Sequence, residues 1–275
     1  MYYQEEDACY PEEEMYYPEE ETALPEEVCY EGEEVCYDDD QDTSPLTATI
    51  EKDTAGNPSG VRVEYQGKQV VLPVNSDGLV EMQDGSGNVK GAGDLSFGKF
   101  LKTYKPDDVE EDRYMNPQTA AGLINALGSF LQSHPQAEIL TGDASTGKGN
   151  SPRLAKGSDT RHETHYDGSA FDGRYLDKYG KSNQGPVNFD TDANFELFHA
   201  HVQQGFRFVV VGTNKMFNSL YTKLKELKKT YKDLGVIRDG GHNDHFHLGI
   251  KRVVKSQTSF KIIAITHVWN NIKNL

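Results

Sequence analysis

The sequence predicts an α+β domain with a mostly antiparallel sheet and flanking helices, and three observations carry that expectation. Apolar residues recur at intervals of three and four in three separate segments, the spacing of helices with one buried face. Short runs rich in Val, Ile and Phe are bounded by Gly, Pro, Asn and Asp, as strands are. The two kinds of segment do not alternate strictly, and their connections look like hairpins as often as crossovers.

Taken in order, the 275 residues divide into a tail (1–44), a small β-rich segment (45–95) and a larger domain (96–275). The tail repeats CYPEEE, YYPEEE, CYEGEE and CYDDD, and its dense like charge predicts disorder. In the second part LTATIEKD, VRVEYQG, KQVVLPV and LVEMQD read as strands, separated by Gly56-Asn57-Pro58, Gly67, Asp77-Gly78 and Asp84-Gly85. About 50 residues are marginal for independent folding, so this segment is expected to pack on its neighbour or on a partner protein.

In the third part, Asn116 is placed to cap a helix with Pro117 at its first position, followed by Leu123, Ile124, Leu127, Phe130 and Leu131 at helical spacing. A strand, AEILTG, leads into a long polar loop and then SAFD. A second helix is expected over Asp192–Gln204, with Phe195, Phe198 and Val202 on one face and Gly205 terminating it. FRFVVV reads as a buried strand. The third helix is expected to carry Phe217, Leu220, Leu224, Leu227, Tyr231 and Leu234, with Lys223, Lys225, Lys228, Lys229 and Lys232 opposite. HFHLGIK and FKIIAI read as the last strands.

The net charge of −16 belongs to the tail. Met1–Asp42 holds 18 Asp and Glu without a single Lys or Arg, and the remainder carries 26 acids against 28 bases. The folded part is therefore near neutral, and no nucleic-acid partner is expected. Cys9, Cys29 and Cys36 all lie in the tail, so a metal site elsewhere must be built from His, Asp or Glu. No stretch approaches a membrane span, and MYYQEEDACY lacks the basic start and apolar run of an export signal.

Five of the nine histidines fall in two stretches, RHETHYDGSAFDG and GGHNDHFHLGI. The period of two along a strand puts His245 and His247 on one face with Gly249, while Phe246, Leu248 and Ile250 face a core. Imidazoles on a half-buried strand need polar partners, because burying them unpaired is costly. Metal binding provides such partners. Neutral imidazole and carboxylate suit Zn²⁺, and three protein ligands leave a fourth position open, the arrangement of a catalytic site.

HYDGSAFD, read as HxxGxAxD, resembles the first metal motif of D-Ala-D-Ala carboxypeptidases and phage L-Ala-D-Glu endolysin peptidases. GHNDHFHLG resembles the last motif of penicillin-insensitive murein endopeptidases. All belong to the lysostaphin, D-Ala-D-Ala peptidase and hedgehog-type zinc superfamily, and the resemblance covers roughly Asn116 to Lys251. It implies that His165, Asp172 and His247 ligate Zn²⁺, and that the substrate is a peptidoglycan peptide. It also implies that His245 activates water or stabilises the oxyanion, with His242 as a second site histidine. The carboxypeptidase branch places a Glu base three residues before the last ligand, where this chain has Asp244. The base is thus His245 or Asp244, with His245 favoured because it shares the face of His247. Carboxypeptidase relatives also carry an Arg in an S-G-x-R context, where this chain reads TGDAS. Lys148, Arg153 or Arg161 would have to substitute, which favours an endopeptidase.

Gly142–Lys148 fits GxxxxGK, but Gly149 and Pro152 break the phosphate-loop context. Glu163, Asp167 and His162 are candidates for orienting the ligands. His199 and His201 are assigned surface or core roles, and the third helix's lysines a solvated face. An alternative to an enzyme is a metal-stabilised binding or structural module. Synthesis without a recognisable signal peptide implies action on the wall after lysis, injection or unconventional export. The acidic tail or residues 45–95 would then dock a protein partner.

Overall fold

Local sequence signals set most of the elements around one central sheet. The structure, a computed structural model, describes residues 44–84, 88–92, 96–97, 113–150, 165–183 and 188–251. The acidic tail, Arg153, Arg161, His162, Glu163 and the strand expected at FKIIAI lie outside these residues. The described residues form an α+β fold with three α-helices and mostly antiparallel strand pairing.

Strands β1 (Thr47–Lys52), β2 (Pro58–Tyr65) and β3 (Lys68–Pro73) form an antiparallel sheet. Gln66 and Gly67, both at positive φ, make the tight turn between β2 and β3. Two short strands, β4 (Val80–Glu81) and β5 (Ser96–Phe97), follow, and β4 pairs with β6 (Tyr114–Met115). Helix α1 (Pro117–Ser133) begins as its cap predicts, the Asn116 side chain accepting from the Thr119 backbone N–H at 2.9 Å.

The rest of the chain supplies β7 (Leu140–Gly142), β8 (Ala170–Gly173), β9 (Tyr175–Leu176), β10 (Ser182–Asn183), α2 (Thr191–Gln203), β11 (Phe208–Val211), α3 (Asn218–Leu227), β12 (Gly235–Arg238) and β13 (Phe246–Gly249). Six strands join in the order β12-β11-β13-β8-β7-β5. The three central pairs are antiparallel, and the outer pairs β11–β12 and β5–β7 are parallel.

The third helix ends at Leu227, earlier than its apolar spacing suggests. Hydrogen bonds from Thr230 and Tyr231 to the Leu227 carbonyl, and from Leu234 to that of Tyr231, turn the chain into β12. Leu234 is buried all the same. Turns can deliver apolar side chains to one core at intervals that mimic a helix, and the sheet's demand for a parallel neighbour to β11 decides the outcome. The β12 segment, GVIR, buries only Val236 and gave no strand signal of its own.

The buried cross-strand row Val209, Leu248 and Phe171 lies on one face of the sheet. Phe198 of α2 meets Phe246 edge-on, ring centres 4.8 Å apart, and Phe171 packs against Phe206 and His201. Asp190 caps α2, and Gly205, at φ +98, lets the chain leave it.

The β1–β3 sheet docks on α1 through polar and steric fit. Asn125 Oδ1 accepts from Ala48 N at 2.7 Å, and Asn125 Nδ2 donates to Ala48 O at 2.9 Å, as a neighbouring strand would. Gly128 lets the Leu46 backbone approach so closely that an added Cβ would lie 1.9 Å from its carbonyl oxygen. Among the described residues, no helix is long and apolar enough to cross a membrane.

Ala is the better helix former by about 1 kcal/mol, yet Gly128→Ala should lower the unfolding free energy by ~1–3 kcal/mol through backbone collision. Denaturant titration reads this directly, and an unchanged midpoint would contradict the docking. His201 is fully buried, its Nδ1 2.7 Å from the Leu197 carbonyl and its Nε2 without a hydrogen-bond partner among the described residues. Burial pushes its pKa down from 6.5 to about 4, against the pull of the Leu197 carbonyl. Above pH 6.5 the ring is neutral in both states. As pH falls towards 4 the unfolded chain takes up the proton first, so stability is lost, by about 3 kcal/mol at most. Unfolding measured from pH 7 to 4 should show a shallower slope in His201→Leu.

Candidate metal site

Strand register brings the site's ligands together. His247 of β13 stands directly across from Asp172 of β8, with Val210 of β11 beyond His247 and Gly142 of β7 beyond Asp172. Alternation puts this row on the face opposite Phe171, Val209 and Leu248. His165 arrives from the 3-10 turn just before β8, Tyr166–Gly168. Asp167 (φ 56) and Gly168 (φ 64) both adopt left-handed backbone there. A Cβ on Gly168 would lie 2.5 Å from the Asn116 nitrogen, so this glycine is required by close approach. Asn116 N donates to the Gly168 carbonyl at 3.0 Å, and Asn116 Nδ2 to that of Asp167 at 3.3 Å. The residue that caps α1 therefore also fixes the turn presenting His165.

The side chains of His165, Asp172 and His247 are each 1% exposed. His247 Nδ1 lies 2.9 Å from Asp172 Oδ1 and 3.2 Å from His165 Nε2, and His165 Nε2 lies 3.3 Å from Asp172 Oδ1. Tetrahedral bonds of about 2.0–2.1 Å hold ligand atoms about 3.3 Å apart. These two nitrogens and one oxygen thus have a spacing close to one tetrahedral face, and the group could hold a metal ion. The electrostatics agree. Burial would raise the Asp172 carboxyl, but the histidines around it, His165 foremost, hold it well below the usual carboxylate range. Burial pushes His247 down to about 4. A buried carboxylate beside a neutral imidazole is the donor chemistry a divalent cation requires.

A second set of side chains lines the more open side. His245 Nε2 is 3.8 Å from Asp172 Oδ2, and its Nδ1 is 2.8 Å from Asp244 Oδ1. Burial disfavours the charged His245 ring, but the Asp244 hydrogen bond and the carboxylates of Asp172 and Asp244 outweigh it and raise the pKa. Arg174, itself 1% exposed, donates from Nη1 to Asp244 Oδ2 at 2.8 Å and to the Asp244 carbonyl at 2.9 Å. His242 Nδ1 is 3.0 Å from Asp239 Oδ1, and the His242 ring centre lies 4.7 Å from that of His245. Burial lowers the His242 pKa, although Asp172 opposes that shift. The Tyr175 hydroxyl donates to the His242 carbonyl at 3.1 Å and accepts from Gly212 N at 3.0 Å, pinning the His242 turn to the sheet.

All six sequence-predicted site residues, His165, Asp172, His242, Asp244, His245 and His247, therefore meet in one region. The Asp167 side chain pairs with Lys251 at 2.9 Å. Lys148 is exposed. Arg174, Tyr175 and Asp239 were missed. Arg174 stands two residues after Asp172 in a buried strand region, and a charged residue among apolar neighbours was the signal available. In comparisons with known proteins, no family model and no curated sequence matches the chain.

His165→Ala and His247→Ala should each lower the divalent metal retained after dialysis by one tight equivalent relative to the parent chain. Elemental emission measures this. Unchanged metal content in both variants would place the ion elsewhere.

Proposed function

We propose that the chain is a zinc-dependent peptidoglycan peptidase, an endopeptidase rather than a carboxypeptidase, hydrolysing an amide bond in cell-wall peptides. The observation that carries this reading is a three-donor N₂O set with an oriented histidine, His245, beside it. The likeness of HYDGSAFD and GHNDHFHLG to murein peptidase motifs supports the substrate class, and TGDAS in place of S-G-x-R supports the endopeptidase.

His165 Nε2, Asp172 Oδ1 and His247 Nδ1 would hold the Zn²⁺. When bound, zinc supplies a lowered water pKa, about 7, and polarises the scissile carbonyl. His245 takes the proton of the attacking water through Nε2, because its Nδ1 is held by Asp244. Asp244 serves as the orienting group: Arg174 occupies one carboxylate oxygen and His245 the other. His242, fixed by Asp239 and Tyr175, steadies the developing oxyanion. The chain would act as a phage lysin or as a component or cargo of a phage-tail-like injection system. The acidic tail or residues 45–95 dock its protein partner. A metal-stabilised binding module is the second reading, favoured by the depth of the three ligands.

Digestion of purified sacculi by the zinc-loaded chain, followed by mass spectrometry, should release peptides that identify the bond. His245→Ala should lower kcat by about 10²–10⁴-fold at unchanged zinc content. Intact sacculi would favour the binding module, and full activity in His245→Ala would remove that residue as base.

A further inference from the structure

We infer that Asp172, His242 and His245 form a second divalent-cation site that shares the Asp172 carboxylate with the first. The inference rests on His165, Asp172 and His247 holding an ion of their own. One donor atom from each of Asp172, His242 and His245 lies within 4.8 Å of the other two. The two Asp172 oxygens face different groups: Oδ1 meets His165 and His247, while Oδ2 is the oxygen nearest His245 Nε2. A carboxylate disposed in this way can bridge two cations, as in sites whose ions stand about 3.5–4 Å apart.

The two outer histidines are prepared in the same manner. Asp239 holds His242 at Nδ1, at 3.0 Å, and Asp244 holds His245 at Nδ1, at 2.8 Å. Metal-bound histidines characteristically give their second nitrogen to a carboxylate, which fixes the ring and strengthens the other nitrogen as a donor. Nε2 of each ring is then the ligand atom. The donor set, two imidazoles and one carboxylate oxygen, suits Zn²⁺ and similar transition cations rather than Ca²⁺ or Mg²⁺. The outer site is the weaker of the two, because it shares its one carboxylate and stands more open, with His242 23% and His245 16% exposed.

Occupation has a functional consequence. A His245 whose Nε2 holds a cation cannot take a proton from water. Filling the outer site therefore inhibits the peptidase, and activity falls as free zinc rises past the first equivalent.

The test is equilibrium dialysis of the full chain against increasing free Zn²⁺, with bound metal read by elemental emission. Cys9→Ser, Cys29→Ser and Cys36→Ser in the background remove the tail thiols as competing ligands. The expected result is one tight equivalent followed by a weaker second. His242→Ala should abolish the second, and Asp239→Asn should weaken it about tenfold or more, with the first equivalent unchanged in both. That retained equivalent also shows that the variants are folded. A plateau at one equivalent overturns the outer site and leaves the inner one standing, as does a second equivalent that persists in His242→Ala. No bound zinc overturns both.

Discussion

The cross-strand contact between His247 and Asp172 is the constraint from which the rest of the arrangement follows. It places a carboxylate and an imidazole, each 1% exposed, in the middle of a six-stranded sheet, where an uncompensated charge is costly. Register makes the contact possible. Because side chains alternate, a slip of β13 by one residue against β8 would send His247 into the apolar face and bring Leu248 out, separating His247 from Asp172. The apolar row Val209, Leu248 and Phe171, packed under the helices, therefore fixes the site as firmly as the polar contacts do.

Around this pair the polar groups form linked layers. His165 completes the inner group from a turn that Asn116 and Gly168 hold in place, so the start of α1 and the site depend on one another. Outside it, Arg174 fixes Asp244 and Asp244 fixes His245, while Asp239 and Tyr175 fix His242. Each histidine on the open side thus has its own carboxylate. The inner donors lie deep in the sheet while the outer histidines stand more open, and Asp172 belongs to both layers. Orientation of this kind gives a site precision only when the supporting residues are themselves packed, as the buried Arg174 and Tyr175 are.

Much of this was legible in the residues. The alternation of HFHLG predicted the two faces of β13, and Asn116-Pro117 predicted the start of α1. The inner donors and the outer histidines could be named because HYDGSAFD and GHNDHFHLG resemble motifs of zinc peptidases. The length of α3 was less legible, since Tyr231 and Leu234 keep helical spacing while lying in turns.

By itself the sequence determined local matters: caps, turns, strand faces and the chemical types gathered in two short motifs. Each of these depends on neighbours within a few residues, through backbone geometry or side-chain period. Tertiary structure alone decided which groups became partners. The Arg174–Asp244 contact joins residues 70 apart, and the His247–His165 contact residues 82 apart, distances over which periodicity carries no information. Pairing across the sheet likewise made GVIR a strand beside β11. Tertiary contacts also give Asp244 to Arg174 and leave His245 turned towards Asp172.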